Sequence, residues 1–170
     1  MGIVGERSVR AAKKTTANAD ALRIRRVLPA DIPGIIALDR QVTGLAKPGY
    51  WREAFKTYSR RRAKDGIFLV AEDAISSPGK GVLGFIIGEV RAWEFGSEPC
   101  GWVFALSVDP SARVRGVGEA LFEAVAAELK KAGVSKMRTM VARDNRLPML
   151  FFRGMGMVAG PYIQLEKELD

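Results

Sequence analysis

Apolar and polar positions change period several times along this chain, and each change marks an element. Leu22-Arg23-Ile24-Arg25-Arg26-Val27 alternates apolar and basic, the pattern of a strand. Pro29 and Asp31 then signal a helix entry, with Ile32, Ile35 and Ile36 as its apolar stripe. Thr43-Gly44 and Lys47-Pro48-Gly49 interrupt, and a second helix is expected over Tyr50 to Lys64, carrying Trp51, Phe55 and Tyr58 on one face and ending at Asp65-Gly66. Two apolar runs, Ile67 to Ala71 and Val82 to Ile87, flank Ser76-Ser77-Pro78-Gly79-Lys80-Gly81 and predict a hairpin. Trp102 to Val108 reads as a further strand. After Gly116, Leu121, Val125 and Leu129 recur every four residues, Glu119 suits a first turn, Lys130 and Lys131 a last one, and Gly133 a stop. Val134 to Val141 is strand-like, Asn145 opens a short helix to about Arg153, and Met157 to Leu169 is expected as a strand pair or one long strand. Helices and strands alternate without repeats, which points to one α+β domain.

The chain of 170 residues is long enough for one well-filled core and too short for two ordinary domains. Its formal charge of +8 is partly local. Arg7, Arg10, Lys13 and Lys14 precede the first strand, and Arg60-Arg61-Arg62 with Lys64 form a second cluster. Residues 1 to 20 lack periodicity and read as a disordered basic arm ahead of a folded domain over 21 to 170. Such charge suits an anionic ligand, although a solvated face gives the same pattern. The single cysteine, Cys100, excludes an internal disulfide and reads as a small buried hydrophobe. There is no histidine, which removes His-based hydrolase triads and most catalytic zinc sites, so no metal is expected. No apolar stretch is long enough to span a membrane, and the amino-terminal residues lack the apolar core of a secretory signal; the expected location is cytoplasmic.

The candidate chemistry lies at Val108-Asp109-Pro110-Ser111-Ala112-Arg113-Val114-Arg115-Gly116-Val117-Gly118. A strand enters a turn with two basic residues and two glycines, and a helix follows at once. The first turn of a helix offers N–H groups without partners and partial positive charge, and glycines let a phosphate approach. A P-loop needs Lys-Ser or Lys-Thr after the glycines, and none follows. A dinucleotide fingerprint needs a third glycine and an earlier strand.

With its surroundings, Arg113-Val114-Arg115-Gly116-Val117-Gly118 resembles the acetyl-CoA motif of the GNAT superfamily of N-acetyltransferases. Leu106-Ser107-Val108-Asp109-Pro110 is similar to that family's central strand and turn. Arg143-Asp144-Asn145 with Leu150 to Met157 is similar to its second cofactor segment, and Leu22 to Leu38 to its opening strand and helix. The resemblance implies a central, mostly antiparallel mixed sheet flanked by helices. It also implies acetyl-CoA as co-substrate, held by main-chain groups of Leu106, Ser107 and Val108, by the loop Arg113, Val114, Arg115, Gly116, Val117, Gly118 and Glu119, and by Asn145 and Phe152. Asn145 is also a natural helix N-cap. By the same resemblance the N–H of Leu106 would polarise the thioester carbonyl.

Two positions depart from the family pattern. Phe152 stands where many relatives have a tyrosine acid, and Trp102 where some carry a glutamate base. Thiols have pKa values near ~8.5, so a thiolate leaves tolerably without an acid. Glu89 is the substitute candidate for the base, directly or through a water, ahead of Glu94, Glu98 and Tyr162. Tyr50, Trp51 and Tyr58 fall on the family's substrate wall and equally suit core packing. The expected activity is acetyl transfer to a primary amine (a protein N-terminus, a lysine or a small amine) by direct attack in a ternary complex. The turn Ala159-Gly160-Pro161, between the two last expected strands, suggests a groove open to a peptide. A non-catalytic acyl-CoA sensor is the alternative that the two departures raise. Nucleic-acid binding through the basic arm ranks below both, and a homodimer is compatible with either reading.

Overall fold

The structure, a computed structural model, describes residues 22–59, 66–76 and 81–169. The expected disordered arm at 1 to 20, the Arg60-Arg61-Arg62 and Lys64 cluster, and the Ser77-Pro78-Gly79-Lys80 turn lie outside the described residues. By compactness the chain divides into a first unit ending at Thr139 and a second beginning at Met140.

The first unit holds a five-stranded sheet in the order β1-β2-β3-β4-β5. The strands are β1 (Leu22–Arg26), β2 (Ile67–Asp73), β3 (Val82–Arg91), β4 (Cys100–Val108) and β5 (Met137–Arg138). The first four pair antiparallel, and β5 joins β4 in parallel through Gly101 and Trp102. The sheet is therefore mixed and mostly antiparallel, as the resemblance implied. Strands β2 and β3 are covered on both faces, which is why they read as unbroken apolar runs rather than alternating ones.

On one face, α1 (Ile32–Thr43) and α2 (Pro48–Tyr58) bury Ile35, Leu38 and Trp51 against Phe68, Val70, Phe85 and Ile87. On the other, α3 (Val117–Lys131) lays Val117, Leu121, Val125 and Leu129 over Ile67, Leu69, Ile86 and Val103. Each fully buried side chain of this size contributes about 1.5–3 kcal/mol. Strand glycines let α3 come close. A Cβ at Gly84 would stand 3.1 Å from both Val117 and Leu121, and one at Gly88 3.2 Å from Val125.

The short 3₁₀ turn Pro29–Asp31 is tied to the sheet by buried charge. Arg25 bridges Asp31, at 2.7 and 2.8 Å, and Glu72, at 2.6 and 2.9 Å, and Arg23 pairs with Glu72 as well. Asp31 and Glu72 are fully buried. Cys100 is buried and free, as its composition suggested. Among the described residues no helix is long and apolar enough to cross a membrane.

Some boundaries differ from those expected. The helix expected over Tyr50 to Lys64 runs Pro48–Tyr58, because Pro48 suits a first turn. The strand expected over Val134 to Val141 contracts to Met137–Arg138. Val134 is apolar for another reason: it closes the end of α3. Gly133 adopts φ 89°, its N–H reaches the Lys130 carbonyl at 3.0 Å, and the Val134 N–H reaches that of Leu129 at 3.4 Å. This is a Schellman cap with its hydrophobic contact.

The second unit repeats that device at the end of α4 (Arg146–Gly154), where Gly156 bonds Arg153 and Met157 bonds Phe152, each at 3.0 Å. Met157 is thus a cap residue, and no strand occurs over Met157 to Leu169. The groove inferred from a turn at Ala159-Gly160-Pro161 loses the strand pair on which it stood.

Candidate active site

The loop between β4 and α3 is built by Asp109. Its carboxylate accepts from the Ser111 N–H at 2.8 Å and the Ser111 hydroxyl at 2.6 Å, and these bonds hold its pKa below the usual carboxylate range. A 3₁₀ turn, Pro110–Arg115, follows and packs Ala112 inward. Gly116 then takes φ 75°, a left-handed conformation that glycine adopts without strain, and redirects the chain into α3. The first bond at this end of α3 runs from the Ala120 N–H to the Gly116 carbonyl at 3.0 Å. The N–H groups of Val117, Gly118 and Glu119 therefore have no acceptor within the helix. Among the described residues a Cβ at Gly116 would meet nothing within 4 Å, so no described side chain fills that point at the mouth of α3. Val114 and Arg113 are exposed beside it. Arg115 pairs with Asp73 at the end of β2, which anchors the turn to the sheet and raises the Arg115 pKa.

Strand β4 leads to this mouth with an open edge. The Asp109 N–H donates to the Leu83 carbonyl at 2.8 Å. Bonded and non-bonded positions alternate along an antiparallel ladder. With Val108 opposite Gly84 and Leu106 opposite Ile86, Val108 and Leu106 fall at non-bonded positions, and their N–H and C=O groups point away from β3. On that outer side β5 reaches only Gly101 and Trp102. Leu106 and Val108 thus offer main-chain donors and acceptors to an extended ligand, as an added strand would. One residue upstream the register shifts: Ile87 faces Ala105 and Gly88 faces Val103, so Phe104 is the extra residue of a bulge. Nothing in the apolar run marked it beforehand.

On the α1 and α2 face of β4 lies a cavity of about 340 Å³. Asp39, Lys47, Tyr50 and Trp51 line one side, with Phe85 and the stretch Phe104 to Ser107 on the other. Trp51 packs in the core, the second of the readings weighed for it: its ring stands edge-on to Phe85 at 4.9 Å, and its Nε1 donates to Asp39 Oδ2 at 2.9 Å. Tyr50 is exposed, and Tyr58 is half-buried with its ring 5.0 Å from Phe104. Sequence reasoning passed over Asp39 and Lys47. The available signal was a carboxylate within the apolar stripe of α1.

Glu89 stands opposite Trp102 in the β3–β4 ladder. Its carboxylate accepts from Arg91 Nε at 2.8 Å. It also lies against Tyr58, whose hydroxyl pKa is raised by burial first and by Glu89 next. Arg91 stacks over the Trp102 ring at 4.7 Å. Glu89 is three positions along β3 from Ile86, the partner of Leu106, a span of about 10 Å. Contact with a group at Leu106 therefore requires an intervening water.

Asn145 and Phe152 belong to the second unit. Asn145 precedes α4 but makes no side-chain cap bond, so its amide is not engaged by the helix it introduces. Phe152 is buried, with the Phe151 ring 5.2 Å away.

A mixed, mostly antiparallel sheet running into a glycine-led helix mouth, with helices on both faces, defines a fold of the α+β class. The chain belongs to the acetyltransferase (GNAT) family, whose model matches residues 36–157. It is similar in structure to a transcriptional regulator from Bacillus halodurans C-125 (TM-score 0.70, 15% identity, 87% of this chain and 99% of that one). It is also similar to glucosamine-6-phosphate N-acetyltransferase from Arabidopsis thaliana (0.66, 20%, 88% and 99%). A third likeness is to AAC(6')-Iy in complex with the bisubstrate analog CoA-S-monomethyl-acetylneamine (0.69, 17%, 88% and 99%). Comparison with curated protein sequences gives no significant match. The protein is an acetyltransferase of the GNAT family, a family that uses acetyl-CoA.

Proposed function

We propose that the chain transfers an acetyl group from acetyl-CoA to a primary amine by direct attack. The observation that carries this reading is the coincidence of the outward Leu106 and Val108 main-chain groups with the mouth of α3. Acetyl-CoA supplies a thioester carbonyl, a leaving thiolate and an anionic diphosphate. The N–H groups of Val117, Gly118 and Glu119 suit the diphosphate, aided by the helix dipole. Arg113, Val114, Arg115 and Gly116 shape the approach. Leu106, Ser107 and Val108 align the arm, and the Leu106 N–H donates to the carbonyl oxygen as negative charge develops there. By the family resemblance alone, Asn145 and Phe152 of the second unit are further candidates for binding the co-substrate. The names of similar structures add support: a sugar phosphate N-acetyltransferase and a complex with a CoA bisubstrate analog.

The amine nitrogen forms its bond to the carbonyl carbon, the C–S bond breaks, and sulfur leaves with the electron pair. Glu89 accepts the nitrogen's proton through a water; Arg91 and Tyr58 fix its orientation. Phe152 has no proton to give, so the thiolate is protonated by solvent. No covalent enzyme intermediate is required, and holding both reactants in one cleft supplies the rate.

The test is thiol release from acetyl-CoA across a panel of small amines and peptides, with Gly118→Glu as the control. Wild-type protein is expected to release thiol with at least one amine. Gly118→Glu, which puts bulk and negative charge at the helix mouth, is expected to lose acetyl-CoA binding in calorimetry. Unchanged affinity in that variant refutes the diphosphate site.

A further inference from the structure

Asp39 lies on the buried face of α1, only 3% exposed. Both of its contacts use one oxygen. Oδ2 accepts from Trp51 Nε1 at 2.9 Å and pairs with Lys47 Nζ at 3.0 Å. Among the described residues nothing donates to Oδ1, and Asp39 lines the 340 Å³ cavity against β4. Oδ1 is not among the buried atoms left without a partner, so it is open to the cavity, where a donor can reach it. Of the aromatic residues at the cavity, Tyr50 is exposed and Phe104 half-buried, while Trp51 and Phe85 lie buried behind them. Aromatic faces attract a cation and disfavour an anion. The volume sits at the small end of ligand sites, room for a small molecule.

We infer that the acetyl acceptor is a small hydrophobic primary amine, its ammonium held by Asp39 Oδ1 and its apolar body against Tyr50 and Phe104. This rests on the acetyl-transfer reading above and names its substrate class. Lys47 faces the same carboxylate from the Oδ2 side, with its ammonium 5.9 Å from the Trp51 ring centre, and it helps to hold the carboxylate in place. Lys47 already pairs with Asp39 through Oδ2, so a phosphorylated or acidic amine finds the Asp39 carboxylate and aromatic surface with no unpaired cation, and is disfavoured. Asp39 binds the acceptor as its ammonium; the nitrogen gives one proton to solvent before its freed electron pair attacks, and a second passes through the water to Glu89 as the C–S bond breaks.

Thiol release from acetyl-CoA is measured with 2-phenylethylamine, glucosamine 6-phosphate and a short peptide bearing a free N-terminus and a lysine. The expected kcat/KM for 2-phenylethylamine exceeds the others at least tenfold. Asp39→Asn keeps an oxygen for Trp51 and removes the charge. Its KM for 2-phenylethylamine is expected to rise roughly tenfold or more, with kcat within threefold and the KM for acetyl-CoA unchanged. A second measurement needs neither variant nor turnover. By calorimetry, (2-phenylethyl)trimethylammonium is expected to bind wild-type protein at least tenfold more tightly than its uncharged tert-butyl isostere. Equal binding of cation and isostere, a preference for the sugar phosphate or the peptide, or an Asp39→Asn effect confined to kcat overturns the assignment. Acetyl transfer to other amines, untouched by Asp39→Asn, sinks this inference and leaves the general reading standing. Absence of transfer to any amine sinks the general reading, while the cation's binding still decides the cavity.

Discussion

Single residues hold this fold at points that a hydrophobic pattern does not display. Glu72 is a strand carboxylate with no exposed surface, read from the sequence only as the residue after an apolar run. Hydrogen bonding from Arg25, opposed by burial and then joined by Arg23, holds its pKa below the usual carboxylate range. The folded-state pKa is thus lower than the unfolded one, so its stabilisation is complete above the unfolded value and lost as pH falls through the folded value. Glu72→Gln leaves two arginines facing a neutral amide and is expected to cost about 3 kcal/mol at pH 7 in urea unfolding. The gap between wild type and variant should narrow below about pH 4; a gap that stays constant with pH contradicts the account. Asp39 was illegible for a similar reason. Its neighbours Ile35 and Leu38 identify the buried face of α1, but a carboxylate on that face shows its purpose only when Trp51 and Lys47 arrive from α2 and its entry.

At the scale of elements, local signals were read well and pairings distant in sequence were not. The β2–β3 hairpin and α3 declare themselves through runs, periods and caps contained within a few turns of chain. The loop from Asp109 to Gly118 was legible because proline, glycine and basic residues mark it directly. The bulge at Phe104 was not, since register depends on the opposite strand. Val134 and Met157 looked like strand residues because a Schellman cap also demands an apolar residue just past its glycine. The strand glycines carry a testable consequence. A Cβ at Gly84 would lie 2.9 Å from the Ser107 carbonyl and 3.1 Å from Val117 and Leu121. Gly84→Ala should therefore cost about 1–3 kcal/mol in denaturant unfolding, the usual penalty of overpacking. It should also weaken acetyl-CoA binding, because the displaced groups are the β4 edge and the first turn of α3. A loss of stability with unaltered affinity separates the two elements.

For the molecule as a whole, the family match covers residues 36–157, so the activity of the matched residues does not call on the basic residues 1 to 20. Deleting residues 1 to 20 is expected to leave kcat/KM for a small amine within twofold; a larger fall assigns those residues to the reaction. The open edge of β4 reaches beyond catalysis. An unpaired strand is a template on which another chain's backbone can add, the first step towards clumping. The groups proposed to receive the acyl arm are the same ones that would invite such a neighbour, and both cannot be seated at once. Ligand saturation is therefore expected to guard the protein's solubility, with a preparation starved of its co-substrate turning cloudy first on warming in a light-scattering ramp.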